Sequence, residues 1–331
     1  MNKLFRFIKN WTLPIAMLCG AIVYFVSRRI PVMADNKTIV LDIVSVVQPL
    51  LIFSMLFITF CKVNPQELKI RRWHGWLLLI QAASFTLLSI LLICFPHLPG
   101  GVVIEGAMLC LICPTATAGV VITTKLGGDA AGLTTYTILI NLVAAIIVPV
   151  FVPLVHPHPN LTFLSSFFMI MGKIFPMLIC PFFAAMLVRW LFPKIHQIML
   201  SCKDLAFYLW AVSLSIAIAV TVRSIVHSEV AVYYQVGIAA ASLLCCVIQF
   251  AVGRHLGHRY GCPISAGQSL GQKNTVFAIW MGYTFFTPVT SVAGGFYSVW
   301  HNVYNSWQLY QKRKADAANE EPKPGTETST K

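Results

Sequence analysis

Residues 265–286 read SAGQSLGQKNTVFAIWMGYTFF. The second half is apolar enough to lie in a bilayer, while the first half carries two glycines, two glutamines, an asparagine and Lys273. A lysine near the bilayer centre is disfavoured by roughly 2.5–3.5 kcal/mol on insertion scales, so one held there faces a cavity and a partner. Gly267 and Gly271 are expected to permit the backbone geometry that breaks a helix, which frees carbonyls and amides that only protein or cavity water can satisfy. Residues 111–128, LICPTATAGVVITTKLGG, have the same build, with Pro114, Gly119 and a run of hydroxyls. Paired, interrupted apolar segments in corresponding halves of a chain point to a transport site.

The composition agrees. Of 331 residues, 57% are hydrophobic and 11% charged, against about 25% charged in soluble domains, so the chain reads as an all-α integral membrane protein. The net charge of +13 would suggest nucleic acid for a soluble protein. Here loops kept on the cytoplasmic side account for it, and nucleic-acid binding is set aside. Cys110 and Cys113 form a C-x-x-C, but they stand in an apolar run with no second pair at zinc spacing, so structural use is favoured over metal or redox chemistry. No metal or cofactor is expected. The nine histidines are scattered and read as turn and interface residues. The N-terminal residues look like a signal peptide's charged and apolar regions, but the candidate cleavage site falls beyond Arg28, Arg29 and Pro31, so that segment is read as a retained helix.

About ten apolar segments follow along the chain, at roughly 11–27, 39–61, 74–95, 102–126, 130–155, 161–191, 205–225, 230–252, 264–286 and 289–309. Most meet the roughly 17–25 residues a spanning helix needs; the sixth is long enough to imply tilt or a kink at Pro176 and Pro181. An HPHPN loop at 156–160 separates two halves, 1–158 and 159–311, and residues 312–331 read as a disordered cytoplasmic tail. With the N-terminus inside, Lys3, Arg6, Lys9, Lys62, Lys69, Arg71 and Arg72 fall on one side. So do Lys125, Arg189, Lys194, Arg254, Arg259 and the cluster at 312–314; Arg28, Arg29, Lys37 and Arg223 fall opposite. Five segments per half reverse the second half relative to the first, so the two broken segments are each fourth in an inverted repeat.

Few ionisable groups lie at depth. Glu105, about 12 Å along a helix from the break, is a candidate for an access path, against the reading that it sits at the interface and reaches water. Lys173 is long-stemmed and can snorkel. Lys273 is the favoured functional group, with Gln272 and Asn274 beside it. Around the first break stand Thr115, Thr117, Thr123 and Thr124, and in the fifth segment Thr134, Thr135, Thr137 and Asn141; Gln48 and Gln81 add amides. Such groups often only bond across helices, for about 0.6 kcal/mol each. Those at a broken helix are better candidates, because they join free backbone dipoles.

CPTATAGVVITTKLGGD at 113–129 and GQKNTVFA at 271–278 resemble the bile acid:sodium symporter family. Cys113, Pro114, Thr117 and Ala118 match its fourth-segment pattern. The resemblance implies discontinuous fourth and ninth helices that cross in a core domain beside a panel domain, with a site near the crossing and alternating access. The departures fall on the family's sodium ligands. Its Ser-Asn pair stands here as Gly119 and Val120, a nearby serine as Leu133, its glutamate as Ser269 and its glutamine as Lys273. Asn274 and Thr137 are retained, and Gln81 is the candidate third-segment glutamine. A lost carboxylate and a gained ammonium argue against two bound sodium ions.

The expectation is therefore an inner-membrane, multi-pass secondary transporter of an organic anion, not an enzyme, with protons as a candidate coupling ion and sodium less favoured. The alternatives are a sodium-coupled organic anion symporter and a non-transporting sensor on a transporter fold. Candidate ligand contacts are Gln81, Thr115, Thr117, Gly119, Thr123, Thr137, Asn141, Ser269, Gln272, Lys273 and Asn274. Lys273 acts there either as a counter-charge to the substrate or as a titrating group.

Overall fold

Proline and glycine set the helix ends. The computed structural model describes residues 12–29, 37–202 and 204–320. Among these, the helices are α1 (Thr12–Ser27), α2 (Lys37–Cys61), α3 (Arg72–Cys94), α4 (Gly101–Ile112), α5 (Ala118–Lys125), α6 (Ala130–Val155) and α7 (Phe163–Leu178). They continue as α8 (Cys180–Leu191), α9 (Pro193–Ser201), α10 (Leu205–Val226), α11 (Val232–His258), α12 (Pro263–Gly271), α13 (Thr275–Phe285) and α14 (Val292–Glu320). Lys3, Arg6, Lys9 and the end of the tail lie outside the described residues.

Six stretches are long and apolar enough to cross a membrane among the described residues: Val44–Cys61, Arg72–Cys94, Ala130–Val155, Phe163–Leu191, Leu205–Val226 and Val232–His258. Pro14–Ser27, Gly101–Ile112 and Thr275–Phe285 are shorter apolar helices. The sixth segment bends at Ile179, between α7 and α8. Pro181 has no N–H to offer the preceding turn there. Helix α6 starts on Asp129, whose carboxylate accepts from the Gly132 N–H at 3.0 Å and lies 2.8 Å from the Arg71 guanidinium. Helix α14 runs on to Glu320, so residues 312–320 are helical where the sequence reading expected disorder.

The fourth and ninth segments are both broken, the fourth between α4 and α5 and the ninth between α12 and α13. The ninth does not break where its glycines stand. Gly267 and Gly271 lie inside α12, and neither has a positive φ. They give way to neighbours instead: a Cβ on Gly267 would meet the Arg254 stem, and one on Gly271 the Phe250 ring. With Gly253, where a Cβ would lie 2.6 Å from the Ala266 carbonyl, they let α11 and α12 lie close together. The actual break is the extended link at 272–274. Helices α1, α2, α8 and α10 pack chiefly on one another, while α3, α6, α11 and α14 pack around the two broken segments.

Candidate functional site

The residue before a proline is pushed out of the helical region, and Cys113 accordingly has φ −52° and ψ 130° ahead of Pro114. The extended link so formed meets the one at 272–274. Thr115 and Lys273 pair as a single antiparallel bridge, flanked by hydrogen bonds from the Ala116 N–H to the Gln272 carbonyl (2.9 Å) and from the Asn274 N–H to the Pro114 carbonyl (2.8 Å). The two broken segments therefore cross backbone to backbone.

A helix that stops inside a protein leaves its last carbonyls without partners. At the end of α4 each of them holds a side-chain donor. Gln249 Nε2 donates to the Cys110 carbonyl at 3.3 Å, and Lys273 Nζ to that of Leu111 at 3.3 Å. Gln81 Nε2 donates to Ile112 (3.1 Å) and Cys113 (2.9 Å). The negative end of a helix dipole favours a cation, which is what the Lys273 ammonium supplies. Across the bridge Thr115 Oγ1 donates to the Ser269 carbonyl at 2.6 Å. Thr115 and Lys273 thus each reach the carbonyl four residues before the other. The supports are paired too: the Tyr136 hydroxyl donates to Gln81 Oε1 (2.7 Å), and the Tyr297 hydroxyl accepts from Gln249 Nε2 (3.1 Å) while donating to the Gly271 carbonyl (2.8 Å).

Lys273 is 1% exposed. Its electrostatic neighbours are the thiols of Cys110, Cys113, Cys245 and Cys246. Cys113, from the C-x-x-C, donates its thiol to the Asn274 carbonyl. None of these cysteines, nor Leu111, lines the large cavity of about 1070 Å³ that opens between the two groups of helices and ends on residues 272–275. The ammonium, held on Leu111 among those thiols, therefore points away from the cavity that Lys273 helps to line. Alternation along extended backbone is the cause, since neighbouring side chains leave on opposite sides. Of the expected residues, Thr117, Gln272, Lys273 and Asn274 line the cavity. Asn274 also caps α13, accepting from the Phe277 N–H at 3.2 Å, and Gln272 Oε1 accepts from Asn305 Nδ2.

Other candidates lie elsewhere. Gly119 packs beside the Gln272 side chain. Thr123 Oγ1 and Ser269 Oγ are buried without hydrogen-bond partners. Thr137 bonds back to the Leu133 carbonyl at 2.9 Å, and Asn141 Nδ2 reaches Leu178 in α7 at 3.5 Å, so both act within or between helices away from the crossing. Glu105 does not line the cavity. It accepts from Thr290 Oγ1 at 2.8 Å and lies 3.2 Å from His156 Nε2, toward the opposite end of α4 from the break. Lys173 is exposed, its ammonium 5.7 Å from the Phe285 ring centroid.

The sequence shows polar Asn302 and Asn305 in the tenth segment, but Ser298, His301 and Gln308 are not among the expected site residues. With Asn305 they are buried at spacings of three, four and three, one face of α14. His301 lines the cavity with a buried Nδ1 that has no hydrogen-bond partner, and Asn302 and Ser306 line it beside His301. Nearer the mouth are Lys62, Lys125, Glu67 and Asp204, and apolar wall comes from Met55, Leu56, Phe207, Trp210 and Val303.

Comparison with curated proteins finds no match. A family model does match, over residues 15–311, and it agrees with the resemblance carried by the two broken segments. The chain belongs to the SBF-like CPA transporter family.

Proposed function

We propose that this membrane transporter is a secondary carrier of an organic anion, working by alternating access and without sodium coupling. The observation that carries the reading is the cavity of about 1070 Å³ between two groups of helices, closed at its end by the crossing of two broken segments. Helices α1, α2, α8 and α10 act as the panel, and the rest as the core that moves against it. The reciprocal caps of Thr115 and Lys273, each on the carbonyl four residues before the other, support ten spans in two inverted five-helix repeats. The basic residues near the cavity mouth support an inward-open state in an inner membrane.

An anion fits the field at the cavity's end, where Lys273 is an internal positive charge one side chain away. The coupling reading rests on the end of α4. A hard cation there would be held by free carbonyls, and each carbonyl from Cys110 to Pro114 already accepts from a protein donor. Lys273 supplies the charge an ion would otherwise bring.

The test begins with a thermal-shift screen of organic acids, sterols and sulfated compounds on purified protein. Uptake of the hits into proteoliposomes then follows, with sodium or potassium at constant ionic strength. Saturable uptake indifferent to the cation is expected. A steep sodium dependence overturns the coupling reading, and binding without uptake replaces the carrier with a sensor.

A further inference from the structure

A second pocket, of about 200 Å³, shares no lining residue with the large cavity. It lies where Leu126 ends α5, between α11, the first turns of α12 and the outer part of α14. Its polar lining is Arg254, Gln268, Gln308, Gln311 and Lys312, and Trp307 stands at its edge, 52% exposed. We propose that this pocket binds the headgroup of an anionic, hydroxyl-bearing phospholipid such as phosphatidylglycerol.

Charge is the first argument. Arg254 has no hydrogen-bond or ion-pair partner among the described residues, while its stem packs on Gly267 and fixes its base. Lys312 is held only by Asp316 at 2.6 Å, an exposed pair one turn apart that contributes little and exchanges readily. Basic pockets between spanning helices at the cytoplasmic face recognise anionic headgroups.

Polar groups already in place are the second. Gln268 is 1% exposed, and its amide nitrogen donates to Asn305 Oδ1 (3.0 Å) and Gln308 Oε1 (2.7 Å). In this arrangement Gln268 Oε1 is buried with no donor. Gln308 spends its oxygen on Gln268 and keeps its amide N–H groups for the pocket. Cations and an amide donor suit a phosphodiester; an acceptor lacking a donor suits a glycerol hydroxyl. The exposed indole favours a lipid over a free phosphate, because tryptophan settles at the headgroup level of a bilayer.

The experiment uses delipidated full-length protein, with retained lipid counted by native mass spectrometry and thermal shift measured in parallel. Phosphatidylglycerol, phosphatidylcholine and inorganic phosphate are each added. Phosphatidylglycerol is expected to be retained and to raise the melting temperature, and the other two are not. Each lost positive charge is expected to weaken binding about fivefold, so Arg254→Gln and Lys312→Gln together should weaken it more than tenfold. Asp316→Asn removes a negative charge beside Lys312 and should strengthen anion binding, which keeps the proposal testable if the glutamine variants fold poorly. Equal retention of phosphatidylcholine, equal protection by inorganic phosphate, or a neutral Asp316→Asn overturns it.

Discussion

Replacing Lys273 by methionine keeps most of the side-chain volume and removes the ammonium, which makes it the sharpest test of the crossing. Lys273 is among the residues that line the cavity, and its Nζ donates to the carbonyl of Leu111, which does not line it. At roughly 8 Å and an effective dielectric near 20, a unit charge stabilises a bound anion by about 2 kcal/mol. The negative charge of about one half at the end of α4 is present in both proteins and does not enter that difference. Lys273→Met should therefore weaken anion binding by about thirtyfold. The same variant strips the Leu111 carbonyl of its donor, a loss of about 1.5–3 kcal/mol partly offset by no longer burying a charge, so the melting temperature should fall as well. Affinity against pH is measured by titration calorimetry on wild type and on the Met and Arg variants. Arginine stays charged throughout the accessible range. A pH dependence present in wild type and absent from Lys273→Arg assigns a titrating role, and parallel profiles assign a standing charge. Three superimposable curves with unchanged melting temperatures would refute the electrostatic reasoning altogether.

His301 lines the cavity, and His301→Leu removes a buried nitrogen that has no hydrogen-bond partner among the described residues. Affinity should drop by about tenfold, the equivalent of one hydrogen bond, while the melting temperature holds or rises; the reverse pattern in binding and thermal-shift assays assigns His301 a packing role. Tyr136→Phe leaves Gln81 Oε1 without its donor and should cost about 1–3 kcal/mol. A double-mutant cycle with Gln81→Leu should show coupling of at least 0.5 kcal/mol, and additivity would remove Gln81 and Tyr136 as a unit. Reporter cysteines placed in the 156–160 loop and after residue 312 should label from opposite sides of the membrane, and labelling of both from outside would end the inverted-repeat argument.

Both broken segments were legible because their causes are local. Pro114 dictates an extended Cys113, and a lysine among amides inside an apolar run announces a cavity or a partner. The carbonyl caps were not legible. Gln81 and Gln249 are separated by 31 and 139 residues from the carbonyls they reach, and an amide in a spanning helix looks alike whether it caps a broken helix or binds its neighbour. Gly267 and Gly271 were misread for a related reason. A glycine that allows a turn and a glycine that admits a neighbouring ring are the same letter, and only Phe250 and Arg254 on α11 tell them apart.

The placement of Lys273 shows what a break does to a side chain's address. In an uninterrupted helix, Gln272, Lys273 and Asn274 would fan out over about 200° of one surface. In the extended link they alternate, so the flanking amides face the cavity and the ammonium enters the core behind it. The sequence identified the charge, and the structure sets its tip on the Leu111 carbonyl. That difference changes the chemistry open to it: an ammonium behind the wall acts on a ligand through its field and through the helix it caps, and it holds the crossing together whether or not a ligand is bound. On the proposed reading the positive charge stays at the crossing in both the loaded and the empty state, so substrate binding should follow the charge at residue 273 more closely than the cation in the buffer.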